Sequence, residues 1–481
     1  MKHKFIMHKN SSAPLYLQVY HFIRQKIVQS TYAAGEKLPS SRQLAKELNI
    51  ARDTVKEAYA LLLSEGFIVS NTGAGTFVNP ELEGLEPKTL IDNKLDQALP
   101  LANWVKRLGD SNFDRGEADK RPFIDFGFGR SYPHVFPYHI WRQLLSRYLS
   151  TDDMMLSRYG SVAGFLPLRI AIADYISQYR GVTCDARQIV VLNGAQQAFD
   201  LLARLFVDNN DAVFIESPGY PDAFEIFQAH GAKVVPIPVD AQGLPVDTLP
   251  QNINPKLLFI TPSNQFPRGG ALSANRRLKL LNWVSSKDTY IIEDDYDGAL
   301  RYEGRPRSSL QGLDSIGRVI YLGTFSKVLF PALRLAYIVL PEQLIEPFLQ
   351  AKRVIDRGSP TLTQAAVSDF MSEGHFMRHL RQLRNHYGGI RKSLVTAVTH
   401  HLGDQVTFSQ EPAGLHLMLY LKGDVNEQQI VAQLLKDGVH VTPGAQFHFT
   451  QPVPPSLLLG FSKLEQGEIE QGIHLLKKQL I

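Results

Sequence analysis

From Pro122 onward, short apolar runs alternate with longer stretches of helical periodicity, and no other feature of the chain constrains its fold as strongly. The runs are Ile189–Leu192, Ala212–Ile215, Lys233–Ile237, Leu257–Ile260, Tyr290–Ile292 and Val319–Leu322. Such alternation predicts an α/β domain built on a mainly parallel sheet. Ligands of these sheets bind beyond the C-terminal ends of the strands, so the residues after each run are the candidates for function.

Those residues share one chemistry. Ile189–Leu192 is followed by Asn193-Gly-Ala-Gln-Gln197, a small-residue turn that opens a helix and offers free backbone N–H groups to a phosphate. After Ala212–Ile215 comes Glu216-Ser-Pro-Gly-Tyr220, which can set the Tyr220 ring against a planar ligand. Leu257–Ile260 leads into Thr261-Pro-Ser-Asn-Gln-Phe-Pro267, Tyr290–Ile292 into Glu293-Asp-Asp-Tyr296, and Val319–Leu322 into Gly323-Thr-Phe-Ser-Lys327, with Arg334 seven residues further on. A lysine of lowered pKa forms an imine with an aldehyde, which makes Lys327 the candidate nucleophile. The Asp294 carboxylate suits a protonated pyridine nitrogen, and Tyr296 can donate to a phenolate oxygen. Thr324, Ser326 and Arg334 can neutralise a phosphate, the arginine as a fixed fork. Taken together, the set fits pyridoxal 5'-phosphate (PLP).

The first 80 residues obey a different pattern. Leu15, Val19, Phe22, Ile23 and Ile27 recur at helical spacing. Gly35 and Pro39 interrupt, and Ser40 with Gln43 three residues later predicts a capping box at the start of a second helix whose inner face is Leu44, Ala45 and Leu48. Asn49 and Ile50 make a turn, and a third helix turns Val55, Ala58, Tyr59 and Leu62 inward before Gly66. Two short segments, Phe67–Val69 and Thr76–Val78, flank the Gly-rich tip Asn71–Gly75 and read as a hairpin. Three helices and a hairpin make a winged helix-turn-helix, whose third helix lies in the major groove with its first residues facing the bases. Arg52 and Thr54 occupy that position; Arg42 is placed to clamp a phosphate, and Gly73 lets the wing backbone approach the minor groove.

Charge agrees with this division. Of the 51 Lys/Arg and 47 Asp/Glu in the 481 residues, ten basic and five acidic residues fall within positions 1–80, so that segment carries +5 and the remainder −1. The basic excess is confined to the part read as a DNA binder. Between the two patterns, positions 81–120 hold Pro87, Pro100 and scattered acids, with a short helical piece at Leu101–Leu108, and are expected to be a linker. The expected domains are therefore 12–80, a linker over 81–120, and 121–481.

No apolar run approaches the roughly 20 residues needed to span a bilayer. Met1–Asn10 lacks the apolar core of a secretory signal. A single cysteine, Cys184, excludes an internal disulfide and suits a reducing compartment. A cytoplasmic protein is expected, associated with the nucleoid when bound to DNA; neither a membrane partner nor a metal site is.

Residues 15–78 resemble the DNA-binding domain of GntR-family regulators through LYLQVYHFIRQKI, GEKLPSSRQLAKEL, ARDTVKEAYALLLSEGFI and GAGTFV. From about Phe123 to Ile481 the chain resembles fold-type I aminotransferases through YGSVAGFLPLR, LNGAQQAFDL, ESPGYP, IIEDDYDGALRY and GTFSKVLFPALRLAYIVLP. The combination looks like the MocR/PdxR-type branch of the GntR family. That resemblance implies Lys327 as the Schiff-base lysine, Asp294 as partner of the pyridine nitrogen, Tyr296 as partner of the phenolate and Tyr220 stacked on the ring. It also implies that Ala195, Gln196, Ser326 and Arg334 hold the phosphate, that Arg42, Arg52, Thr54 and Gly73 contact a double-stranded operator, and that Tyr159 reaches the pocket of the other subunit of a homodimer.

Two departures bear on the effector. Aminotransferases bind a substrate carboxylate through an arginine where this chain has Leu458, and no Arg or Lys occurs from Gln451 to Ser462. Asn264 and Arg268 stand where relatives often have His and Thr or Ser, and Arg268 is a candidate replacement charge. The leading expectation is a regulator that senses PLP itself and controls vitamin B6 metabolism. The alternatives are a regulator with permanently bound PLP that answers to an amine or amino acid, and a working aminotransferase.

Overall fold

The computed structural model describes residues 13–84, 101–108, 124–129, 132–149, 157–304 and 307–480. Met1–Asn10, Pro87, Pro100 and most of the expected linker lie outside them. The chain divides into two units, residues 1–100 and 101–481.

In the first unit, α1 (Leu15–Val28), α2 (Ser41–Leu48) and α3 (Arg52–Ser64) precede an antiparallel hairpin, β1 (Ile68–Asn71) and β2 (Gly75–Val78). Val19, Ile23 and Ile27 of α1 meet Leu44 and Ala45 of α2 and Val55, Ala58, Tyr59 and Leu62 of α3 in one core. Leu48 is only half-buried. The capping box forms by half: Ser40 Oγ accepts from the Gln43 amide at 3.2 Å. The Gln43 side chain donates instead to Glu47 at 3.0 Å, an ionised acceptor one turn further along the same helix. Asn49 ends α2 at φ 52 and ψ 51, a left-handed conformation that asparagine tolerates.

The second unit holds β3 (Ile124–Asp125), β4 (Ile189–Leu192), β5 (Ala212–Ser217), β6 (Lys233–Pro238), β7 (Leu257–Ile260), β8 (Tyr290–Asp295), β9 (Val319–Thr324) and β10 (Ala336–Val339). Seven of these form one sheet in the order β4-β10-β9-β8-β7-β5-β6. Its neighbours are parallel except that β10 runs antiparallel to both β4 and β9. C-terminally come β11 (Val406–Thr407), β12 (His416–Leu421), β13 (Val439–His440), β14 (Thr442–Pro443) and β15 (Ser456–Gly460). Strand β13 pairs in parallel with β3, and the other four make an antiparallel sheet.

Helices α4 (Asn103–Arg107), α5 (Tyr138–Leu149), α6 (Leu166–Arg180) and α7 (Ala195–Phe206) precede α8 (Pro221–Ala229). The short helix α4 lies within the segment expected to be linker, yet it packs on this unit: Arg107 donates to Asn209 at 3.1 Å, and Trp104 meets His230 edge-on.

Several strands run further than their apolar runs. β8 was expected to end at Ile292 but continues through Glu293, Asp294 and Asp295, all buried. Acidic residues persist in a buried strand here because each of two has its own donors. Glu293 accepts the Leu310 and Gln311 amides at 2.7 and 2.8 Å, and Asp295 accepts Arg180 Nε at 2.7 Å. Successive residues of a strand face opposite sides. Ile292 packs in the layer that contains α7, so Asp294 points to that side, whereas Glu293 and Asp295 point away from it.

Candidate functional site

The C-terminal ends of β4, β7, β8 and β9 surround a cavity of about 210 Å³. Ala195, Gln196, Tyr220, Asp294, Tyr296, Thr324, Ser326, Lys327 and Arg334 all line it. These are all but one of the residues expected at a PLP site. The exception is Tyr159, which is 85% exposed and has the Arg357 guanidinium 5.5 Å from its ring centroid.

Three regions can be distinguished. At one end, α7 is preceded by Gly194, which has φ +103 and supplies no side-chain cap. The first amides of any helix lack intrahelical acceptors, so this end presents donors together with the positive end of the helix dipole. A Cβ at Gly194 would lie 2.8 Å from Arg334 Nη2, which shows how closely the guanidinium approaches the turn and why glycine is needed there. Arg334 itself has φ 50 after a turn of 3-10 helix, a backbone conformation that costs about 1–3 kcal/mol in a non-glycine residue. Ser326 donates its amide to Thr324 Oγ1 at 3.1 Å, which shapes the facing loop.

In the middle lies Lys327, its Nζ 4.5 Å from the centroid of the Phe128 ring. Burial lowers its pKa, partly opposed by the charges of Asp297, Asp294 and Asp222. The floor is Asp294. Burial, reinforced by Asp295 and Asp297, pushes its carboxyl up to about 8. Its Oδ1 is buried without a hydrogen-bond partner among the described residues. An unpartnered buried acceptor is unfavourable and calls for a donor from outside the chain.

Tyr296 is held by Asn264, whose Nδ2 donates to the Tyr296 hydroxyl at 3.1 Å and to Asp297 Oδ2 at 2.7 Å. Tyr220 donates to Asp222 at 2.9 Å, and Gln196 Nε2 donates to the same oxygen at 2.6 Å. The pocket thus combines a cluster of donors at one end, an amine of reduced basicity at its centre and an unsatisfied carboxyl below. These match the phosphate, aldehyde and pyridine nitrogen of PLP, and the donor set fits the group.

Sequence reasoning gave no role to Thr261 and Phe266, which it named only within the segment after β7, or to Phe128, Gly129 and Pro331; all five also line the cavity. Thr261 directly follows β7, so the strand-end rule reaches it. Phe128 and Gly129 come from the segment just after β3, ahead of α5, where no local pattern marks them. Leu458 is fully buried with Phe266, Met418 and Phe447. The wall beside the pocket is therefore apolar at that position.

In the first unit, Arg42 and Arg52 are exposed, Thr54 is half-buried, and Gly73 sits at the wing tip with φ +82. Arg52 Nε reaches Ser41 Oγ at 3.4 Å, which brings the starts of α2 and α3 together on one side.

A model of the gntR family of bacterial regulatory proteins matches residues 15–78, and one of aminotransferase class I and II matches residues 131–476. The probable rhizopine catabolism regulatory protein MocR of Rhizobium meliloti is 35% identical over 99% of this chain and 96% of its own length. The HTH-type pyridoxine biosynthesis transcriptional regulator PdxR of Corynebacterium glutamicum is 30% identical over 96% of this chain and 94% of its own. Among solved structures, LysN, the α-aminoadipate aminotransferase of Thermus thermophilus in complex with N-(5'-phosphopyridoxyl)-L-leucine, is 26% identical with a TM-score of 0.72, covering 79% of this chain and 97% of its own. No helix among the described residues is long and apolar enough to cross a membrane. The chain belongs to the GntR-family transcriptional regulators of the MocR/PdxR type, in which a winged helix-turn-helix is joined to an aminotransferase class I and II domain.

Proposed function

We propose that this regulator senses PLP itself and controls genes of vitamin B6 synthesis or salvage. One observation carries the reading: nine of the ten residues expected to hold PLP line one cavity beside an apolar wall at Leu458. Without a cation there, the carboxylate of an ordinary amino acid would be buried unpaired at that position, which is unfavourable. When bound, PLP supplies an aldehyde and a ring nitrogen. Lys327 holds the first, Asp294 keeps a proton on the second, and Tyr296 donates to the phenolate oxygen. Tyr220 stacks on the ring, while Ala195, Gln196, Thr324, Ser326 and Arg334 bind the phosphate.

We assign the reader to 12–80 and the sensing domain to 121–481, with 81–120 between them as linker except for α4, which packs on the second unit. We place the protein in the cytoplasm, as a homodimer in which Tyr159 reaches the partner's pocket. Exposed Leu149, Val354 and Tyr159, at 63, 80 and 85%, support such pairing. PLP then shifts the balance between two arrangements of the readers, and the shift in operator affinity equals the difference in PLP affinity between them.

A gel-shift titration on the DNA flanking its own gene tests this. Saturating PLP is expected to change operator affinity by about tenfold, within the usual range of allosteric coupling. No change in excess PLP, in the shift assay and in a reporter strain, overturns the reading. In the same assay Arg52→Ala should weaken operator binding by about 10- to 100-fold through loss of a base contact. Arg42→Ala should weaken all sequences alike and reduce the salt slope by about one. Equal binding by Arg52→Ala and the parent would remove Arg52 from the interface.

A second reading, with PLP permanently bound and an amine or amino acid as effector, is favoured by the guanidinium of Arg268, which lies against Tyr420.

A further inference from the structure

A second polar constellation lies next to the cofactor pocket. Strand β12 turns His416, Met418 and Tyr420 to one face, because alternate residues of a strand point the same way. Leu458 of β15 stands opposite Met418 in the antiparallel register, so both contribute to that face. Tyr420 packs on the same apolar cluster as the pocket residues Tyr220 and Tyr296, which makes this face a continuation of the pocket wall.

The wall has an apolar middle and a polar group at each end. At one end His416, only 6% exposed, donates Nε2–H to the Pro267 carbonyl at 3.0 Å. That bond leaves its Nδ1 as a buried acceptor with no partner among the described residues. At the other end the Arg268 guanidinium lies 5.0 Å from the centroid of the Tyr420 ring. No carboxylate among the described residues pairs with it. Asp240, which feels its charge, is itself paired with Arg276 at 2.6 Å. The Tyr420 hydroxyl and His448 Nε2, both within the field of Arg268, are buried with no hydrogen-bond partner among the described residues. A half-buried guanidinium with neighbouring donors and no anion lacks the one group that would satisfy all three.

We propose that Arg268, Tyr420 and His448 form an anion subsite beside the cofactor pocket, which takes the carboxylate of a small aliphatic acid whose chain lies over Met418 and Leu458. The cation for an acidic ligand is thus supplied by the loop after β7 rather than by β15. The unpartnered acceptor of His416 favours acids with a hydrogen-bond donor, such as a hydroxyl, at the far end. The subsite rests on the reading of the neighbouring pocket as a PLP site and is indifferent to whether PLP is the signal.

The test uses the full-length protein. PLP uptake is first established from its visible absorbance, and straight-chain carboxylates from propionate to hexanoate are then titrated by calorimetry. Saturable binding is expected, tightening about fourfold per added methylene as more apolar wall is covered. The ω-hydroxy acids should bind more tightly than their plain counterparts, and alkylammonium chlorides of equal length should not bind. Arg268→Gln should weaken the acids at least tenfold, Arg268→Lys less and Tyr420→Phe a few-fold, all with unchanged PLP uptake. Absence of saturable binding, or equal affinity in Arg268→Gln and the parent, overturns the proposal. Should the parent protein take up no PLP, the pocket reading fails, and the same titration on the empty protein decides the subsite separately.

Discussion

Replacing Asp294 by Asn is expected to weaken PLP binding by about a hundredfold while making the empty protein more stable at pH 8. The first effect follows from removing a buried carboxylate that alone can accept a charge-assisted bond from the protonated ring nitrogen, an interaction worth about 3 kcal/mol. The second follows from linkage. In the empty pocket burial pushes Asp294 up to about 8, against an ordinary value near ~4 in the unfolded chain. Between those limits the folded protein binds a proton that the unfolded chain has released. The stability this group contributes is therefore complete below pH ~4 and is lost as pH rises towards 8. Asparagine cannot ionise and escapes that loss, so the gain should reach a few kcal/mol by pH 8 and vanish near pH 4. Urea unfolding of both empty proteins across this range, with PLP titrations alongside, would measure both effects. A variant no more stable than its parent at pH 8, or one that binds PLP as tightly, would show that Asp294 is neither strained in the empty site nor the partner of the ring.

Arg180→Met should lower the unfolding free energy of the second unit by about 3–5 kcal/mol, the usual cost of leaving one member of a buried ion pair alone. Arg180 and Asp295 have side chains only 3% exposed. The guanidinium donates to both carboxylate oxygens, at 2.7 and 2.8 Å, to Ser263 Oγ at 2.8 Å and to the Arg307 carbonyl at 2.7 Å. Tyr321 also donates its hydroxyl to Asp295. The network fixes the end of β8 from the side opposite Asp294, so its loss should also loosen PLP binding. Because a well-packed apolar pair can replace a buried ion pair, Arg180→Met combined with Asp295→Leu should recover part of the lost stability. Denaturant unfolding of the parent, the single variant and the double variant forms the cycle. A single variant within ~0.5 kcal/mol of the parent would remove this pair from the supports of the site.

Much of this architecture was legible in the chain alone. The 3.6-residue spacing of Val19, Ile23 and Ile27, and of Val55, Ala58, Tyr59 and Leu62, picks out buried faces of α1 and α3. Such legibility is physical: a helix that buries one stripe must repeat apolar residues at its own pitch. The rule that ligands gather at strand ends led to Asp294, Lys327 and Ala195, which the fold brings to one cavity. Reading strands as apolar runs ended β8 too early, because acidic residues look like loop in a sequence and persist in a strand only when distant donors meet them.

The sequence by itself determined the two architectures and the chemical inventory of the pocket, since periodicity and strand-end composition are local properties of the chain. Tertiary structure alone decided which carboxylates of Glu293, Asp294 and Asp295 are satisfied. It did so by bringing Arg180 to Asp295 across 115 residues and leaving Asp294 Oδ1 with no partner among the described residues. It likewise set Arg268 against Tyr420, and Met418 beside Leu458. Partners far apart in sequence leave no periodic trace, and a buried charge reveals its purpose only through what does, or does not, stand next to it.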